Sequence, residues 1–229
     1  MIEFLSNWWF LILMLSLASI AVFVWLFLNR YRLHAKWWEL LIVTLLHTII
    51  GVFTVKFRAL LEAGFDVDTA GNMSLFGGVF IMPLTYLIYA ILKKLPFNDV
   101  FDIMTVSLVG TLFFARINCF YSGCCFGVHI GDSSFEYPTR EFELFYYGVF
   151  LIFAVPWILK RKSCGYVLPL YFMTYGLDRF IGERFRYSNI TDSRFHFGHL
   201  WAIVIFVVGS LWLIIKKFYF DKRSVRYDK

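Results

Sequence analysis

Charged residues are scarce in this chain: Asp, Glu, Lys and Arg make up 17% of its 229 residues, against about a quarter in an ordinary soluble domain. So few cannot cover a water-facing surface. With 60% of residues hydrophobic, 21% aromatic and a mean hydropathy of +0.68, a soluble domain is excluded and the chain belongs in a bilayer.

Other absences narrow the function. No internal repeat of the kind common in transporters is found. The last apolar run, Phe197 to Ile215, holds no lysine, which disfavours a rhodopsin-type receptor because no Schiff base can form there. No Lys or Arg precedes the first apolar run, and no small-x-small cleavage site follows it. That run is therefore expected to be a retained span and not a cleaved signal. The net charge of +6 would suggest nucleic acid in a soluble protein. In a membrane chain it reads as topology, and no nucleic-acid partner is expected.

Apolar runs are present at about residues 7–29, 38–61, 73–92, 100–119, 142–159, 165–182 and 197–215, separated by polar or Gly/Pro-containing segments. A span takes roughly 20 residues. The chain is therefore predicted to be all-α, one membrane-embedded domain over residues 1–229 with seven transmembrane helices and no separate soluble domain. Trp8, Trp9, Trp37, Trp38 and Trp201 near span ends read as interfacial anchors.

The basic residues mark alternate loops: Arg30, Arg32 and Lys36; Lys93 and Lys94; Lys160, Arg161 and Lys162; then Lys216, Lys217 and the four beyond. The positive-inside rule puts this set in the cytoplasm with the C-terminus, leaving the N-terminus outside. The cytoplasmic set holds 14 basic residues against five acids; the other side holds eight basic residues against 11 acids. Seven of those eight are arginine (Arg58, Arg116, Arg140, Arg179, Arg184, Arg186 and Arg194), the other being Lys56. A planar fork of donors suits phosphate or carboxylate. The outward half is where a site is expected.

Three outward segments carry candidate chemistry. Arg179, Glu183 and Arg186 lie at i, i+4 and i+7 and share one helical face at the end of span six. Near-membrane charges are costly unless paired, so they mark either a functional site or a salt bridge pinning the helix end. A second segment ends span four with Arg116 and leads into a Gly- and Cys-rich turn to Gly127. In the third, from Pro138 to Glu143, the chain re-enters the membrane, where acids also suit a helix N-terminus.

Together these segments resemble the prolipoprotein diacylglyceryl transferase family. Ala115 to Gly127 is similar to the family's G-R-x-G-N-F-x-N-x-E-x-x-G, matching at Arg116, Phe120 and Gly127, with Ser122 at the second Asn position. Pro138, Thr139 and Glu143 resemble P-T-Q-L-Y-E, and Arg179 to Arg186 fits R-F-x-x-E-F-x-R except at Arg184. Gly77-Gly78 resembles the family's H-G-G, and Gly198-His199-Leu200 its G-Q-x-L.

The resemblance implies transfer of a diacylglyceryl group from phosphatidylglycerol to a lipobox cysteine of a preprolipoprotein, with glycerol-1-phosphate released and no metal or other cofactor. The implied place is the bacterial cytoplasmic (inner) membrane, multi-pass among membrane lipids, with the active site toward the outer leaflet. Arg116, Arg179 and Arg186 would hold phosphate and glycerol, and Glu183 would orient them. Gly77, Gly78, Ser122, Gly127 and Glu143 would form the rest of the substrate site.

Three positions depart from the family pattern. Phe76 replaces the His before the paired glycines, Cys119 the signature Asn, and Cys124 the signature Glu. His47 and His199 are possible replacement bases, or structural histidines. Cys119, Cys124, Cys125 and Cys164 admit a Cys119–Cys124 disulfide, buried thiols, a zinc site with His129, or a thiolate activated by Arg116. The sequon at Asn189 is read as accidental. Two alternatives stand beside the transferase: a diverged paralogue modifying another lipid or peptide acceptor, and a non-catalytic lipid-binding membrane protein on the same fold.

Overall fold

The computed structural model describes residues 2–62, 76–123, 125, 127–129, 136–162, 164–186 and 197–220. Cys124, the Asn189 sequon and Arg194 lie outside them. The described chain is helical throughout: α1 (Ile2–Leu28), α2 (Trp37–Glu62), α3 (Phe76–Lys93), α4 (Phe97–Tyr121), α5 (Thr139–Leu159), α6 (Val167–Glu183) and α7 (Phe197–Ile215), with a π-helical extension over Lys216–Phe220. The only β pairing among the described residues is two isolated bridges, Gly127 with Arg186 and His129 with Glu136.

Among the described residues, five stretches are long and apolar enough to cross a membrane: Trp8–Leu28, Trp37–Phe57, Phe97–Tyr121, Thr139–Leu159 and Gly198–Phe218. The other two helices fall short for physical reasons. The apolar part of α3, Gly77–Lys93, is shorter, and the 17 residues of α6 reach about 25 Å at 1.5 Å per residue, less than the ~30 Å hydrocarbon core. α6 also ends in charged residues.

α4 is the hub. It packs against α1, α3, α5 and α6, and nearly everything from Val100 to Leu112 on it is buried. A helix apolar on all sides is what such a central position requires. The Trp25 indole N–H on α1 donates to the Ile103 carbonyl on α4 at 2.8 Å, satisfying a polar atom that burial would otherwise strand. Outward-facing residues of α1 and α2, such as Ile20, Val24, Leu45, Ile49 and Phe53, are large, apolar and exposed. A continuous exposed apolar surface of this kind belongs against lipid.

α6 packs most extensively on α7. A Cβ on Gly176 would lie 2.6 Å from the Phe206 amide nitrogen, and one on Gly209 would lie 2.5 Å from that of Met173. Small residues facing each other let two helix backbones approach closely, which supplies packing where water gives no hydrophobic drive.

The loops after α1, α3 and α5 and the end of α7 converge at one end of the bundle. There Arg32 pairs with Asp99 and donates to the Ile158 carbonyl at 3.1 Å, and Lys93 lies 3.0 Å from Glu39. Fully buried Asp102 accepts from the Gly165 amide at 2.6 Å and the Val167 amide at 3.0 Å, which fixes the entry to α6. Lys216 donates to Asn98 at 3.1 Å. The basic loops grouped by sequence thus share one end, and exposed Cys164 sits among them.

Candidate functional site

The opposite end of the bundle holds the chemistry. Arg116 lies on α4 about 28 Å from its Phe97 start, where α5 begins and α6 ends, so those elements bring their polar residues together. Arg116 pairs with Glu143 of α5. The other oxygen of Glu143 takes Arg179 Nη1 at 2.6 Å, while Arg179 Nη2 reaches Glu183 at 2.5 Å. Arg186 Nη1 meets the same Glu183 oxygen at 3.2 Å.

The result is a chain of alternating charge, Arg116–Glu143–Arg179–Glu183–Arg186, in which each carboxylate bridges two guanidiniums. Arg116 is 1% exposed, and Glu143, Arg179 and Glu183 at most 5%. Charges buried this deeply survive only when paired and hydrogen-bonded. Three cations against two anions leave the chain one positive charge in excess. Arg116 Nε has no hydrogen-bond partner among the described residues. An arginine presents five N–H donors in a fixed fork, so the arrangement has spare, oriented donors suited to a phosphate.

The turn after α4 is clamped to this cluster. The Val128 amide donates to the Phe185 carbonyl at 2.9 Å, the Tyr137 amide to the Val128 carbonyl at 2.8 Å, and the Tyr137 ring stacks on Phe185 at 4.1 Å. A Cβ on Gly127 would collide with the Tyr137 carbonyl oxygen and come within 2.8 Å of the Phe185 carbonyl oxygen. Glycine is required there because two backbones meet. Buried Thr139 donates to the Cys125 carbonyl at 3.0 Å, tying the same turn to the start of α5. From α7, Gly198 presses on Glu183: a Cβ would lie 2.9 Å from its carboxyl carbon.

Of the residues singled out by sequence, Arg116, Glu143, Arg179, Glu183 and Arg186 are brought into one site, with Gly127 packed beside it. Gly77 and Gly78 are buried in the first turn of α3, where a Cβ on Gly78 would meet only Val55. Ser122 is exposed and ends α4, its amide donating to the Asn118 carbonyl at 2.9 Å. His199 is buried next to Gly198, its ring edge-on to Phe180 at 5.4 Å. His47 is buried deeper, its Nε2 3.2 Å from Thr111 Oγ1, which itself donates to the Ser107 carbonyl. The Cys119–Cys124 disulfide and the zinc site, two of the alternatives for these cysteines, both involve Cys124, outside the described residues.

Sequence reasoning missed the tyrosines beneath the cluster and one acid beside it. Tyr147, Tyr171 and Tyr175 are fully buried; Tyr147 and Tyr175 stack at 6.4 Å, Tyr171 and Tyr175 at 5.4 Å. Their signal was present: Tyr171, Tyr175, Arg179 and Glu183 recur every fourth residue, and Tyr147 follows Glu143 by four. The missed acid is Asp178, whose Oδ2 is buried without a hydrogen-bond partner among the described residues. An apolar groove of about 540 Å³ runs between α5 and α6, lined by Tyr146, Phe150, Phe153, Trp157, Leu170 and Thr174, the last of these one helical turn before Asp178.

Comparison with known proteins identifies relatives of the chain. The family model of prolipoprotein diacylglyceryl transferase matches residues 5–215. The chain is similar to phosphatidylglycerol--prolipoprotein diacylglyceryl transferases of Francisella tularensis, among them those of subsp. novicida (strain U112) and subsp. tularensis (strain SCHU S4 / Schu 4). Each is 28% identical over 162 residues, covering 63% of this chain and 60% of the relative. The protein of subsp. holarctica (strain LVS) matches to the same extent. The matched region thus spans about three-fifths of these relatives' length.

Proposed function

The chain belongs to the prolipoprotein diacylglyceryl transferase family, and on that premise we propose that it transfers a diacylglyceryl group from phosphatidylglycerol to a cysteine thiol of a prolipoprotein. The observation that carries this reading is the buried Arg116–Glu143–Arg179–Glu183–Arg186 chain. Four buried ionised groups, with half-buried Arg186 at the end of the chain, are costly to maintain for stability alone. A phosphate leaving a glyceryl carbon in a low-dielectric site calls for this preorganised positive edge.

In this reaction the thiol sulfur attacks the glyceryl CH2 carbon, the carbon–oxygen bond breaks, and glycerol phosphate departs with the bonding pair. Arg116, Arg179 and Arg186 neutralise the growing phosphate charge. Glu143 and Glu183 keep the guanidiniums in place, so little reorganisation is needed as charge develops. Gly127, packed beside the cluster, lets the turn after α4 close on it; the family resemblance is what assigns Gly77, Gly78 and Ser122 to the head group. The α5–α6 groove offers lipid and acceptor a lateral way in.

The reading includes topology. All seven helices span, with α3 and α6 short because their polar ends meet the site and the loops; the basic end is cytoplasmic, the N-terminus is outside, and the arginines face the outer leaflet of a bacterial inner membrane. The Lys and Arg of the clustered loops support this orientation. A lipobox peptide, with its cysteine at a membrane-spanning signal helix, is the acceptor class that suits an outward site.

The test is incubation of the purified protein with phosphatidylglycerol and a lipobox peptide, followed by mass spectrometry. A diacylglyceryl adduct on the cysteine is expected. A peptide left unmodified while phosphatidylglycerol still binds would replace the transferase reading with that of a non-catalytic lipid-binding protein.

A further inference from the structure

The reaction needs a proton acceptor, because a thiol is a poor nucleophile until it becomes a thiolate. Resting on the transferase reading above, we propose that Asp178, one turn of α6 beyond the groove-lining Thr174, is that acceptor and takes the proton from the incoming cysteine.

The two acids of the charge chain are committed. Glu143 engages Arg116 and Arg179, and Glu183 engages Arg179 and Arg186. A carboxylate bridging two guanidiniums has its lone pairs occupied by their N–H donors. The histidines are placed elsewhere. His47 Nε2 bonds to Thr111, whose own proton goes to Ser107, one and a half turns of α4 below Arg116. His199 lies against Phe180 on the α7 side of α6.

Asp178 has neither commitment. It follows Thr174 by one turn on the groove face of α6, and Thr174 is bonded at 2.8 Å to Tyr146 across the top of the groove. Its Oδ2 is buried with no hydrogen-bond partner among the described residues, and an unsatisfied buried acceptor in a folded protein calls for an explanation such as catalysis. It is also close to the charge chain: it interacts electrostatically with Glu143 and Tyr146 on α5, Arg116 on α4, and Arg179, Tyr171 and Tyr175 on its own helix. A thiol delivered along the groove therefore meets Asp178 beside the arginines that hold the leaving phosphate.

The charges balance. The S–H proton moves to the Asp178 carboxylate, the sulfur lone pair forms the new C–S bond, and the breaking C–O bond leaves its electrons on the phosphate. The phosphodiester gains one negative charge as it becomes a monoester, while Asp178 loses one as it is protonated. The net charge of the site is unchanged through the step, which favours reaction in a medium that penalises charge separation.

The experiment compares the intact protein, Asp178→Asn and Asp178→Glu, purified with phosphatidylglycerol vesicles and a lipobox peptide, from pH 6.5 to 9.5. General-base catalysis contributes roughly 100-fold or more, so D178N is expected to lose about that in kcat at pH 7 with its KM for phosphatidylglycerol unchanged. The deficit should shrink as pH passes the thiol's own pKa of about 8.5, because the thiolate then forms without help. D178E should recover part of the rate. Transfer by D178N within about threefold of the intact protein overturns the assignment. So does a deficit that stays constant across the pH range, which would mark a structural role. If the intact protein transfers nothing at any pH, the transferase reading itself fails, and this inference falls with it.

Discussion

The two ends of the bundle each bury an acid, and they use it differently. At the basic end, Asp102 accepts from two backbone amides, those of Gly165 and Val167. Both bonds are spent on holding the loop that starts α6. At the opposite end, the ion pairs of Glu143 and Glu183 join them to arginine side chains. Backbone amides cannot turn toward a ligand without unfolding the loop, whereas a guanidinium has donors left after pairing. One acid is therefore an architectural fastener, and the others, on the proposed reading, keep cations poised for an anion.

Removing Glu143 should break the comparison most severely. Glu143→Ala leaves Arg116 buried without its partner, an imbalance expected to cost about 3–5 kcal/mol; thermal unfolding in lipid should show the loss, together with undetectable transfer. If E143A unfolds like the intact protein, the cluster is not the tightly coupled unit described here. Asp102→Asn should instead cost roughly 1–3 kcal/mol, the price of a poorly satisfied buried group. Its transfer rate per folded molecule should match that of the intact protein, and a selective loss of kcat would erase the contrast between the two ends.

A gentler change sharpens the outer site alone. Gly198→Ala puts a methyl group 2.9 Å from the carboxyl carbon of Glu183, displacing the acid that joins Arg179 and Arg186. Misplacing a catalytic group by a fraction of an ångström should lower kcat by roughly tenfold. Unfolding should stay within about 1 kcal/mol of the intact protein, because alanine is a better helix former than glycine; a rate equal to that of the intact protein would show that Glu183 need not be held so closely. The smallest perturbation reads orientation only: exposed Cys164, at the basic end, should resist an impermeant thiol reagent in intact cells and react after lysis. Labelling in intact cells would place the arginines on the cytoplasmic side.

Part of the outer site was legible in the chain. Arg179, Glu183 and Arg186 share a face because the α-helix repeats every 3.6 residues, and local periodicity needs no knowledge of the fold. Glu143 was visible only as an acid near a helix start; that it joins Arg116 to Arg179 was not, since these partners come from three different helices. The same holds for Gly127, whose small size is explained by the Tyr137 and Phe185 carbonyls that close on it. Asp178 escaped notice because it is off the Arg179–Glu183–Arg186 face, and its meaning lies in the groove beside it.

The sparse charge and continuous apolar runs alone determined that this chain is a helical membrane protein, because a low-dielectric medium forces backbone groups to bond within each segment. The alternation of basic loops determined which loops belong together, since each crossing reverses the side. Tertiary packing decided which arginine meets which carboxylate, and left the buried Asp178 Oδ2 without a hydrogen bond among the described residues. Those choices depend on the approach of α4, α5 and α6 to within bonding distance, and a one-dimensional pattern carries no information about side-chain contacts between segments that are distant along it.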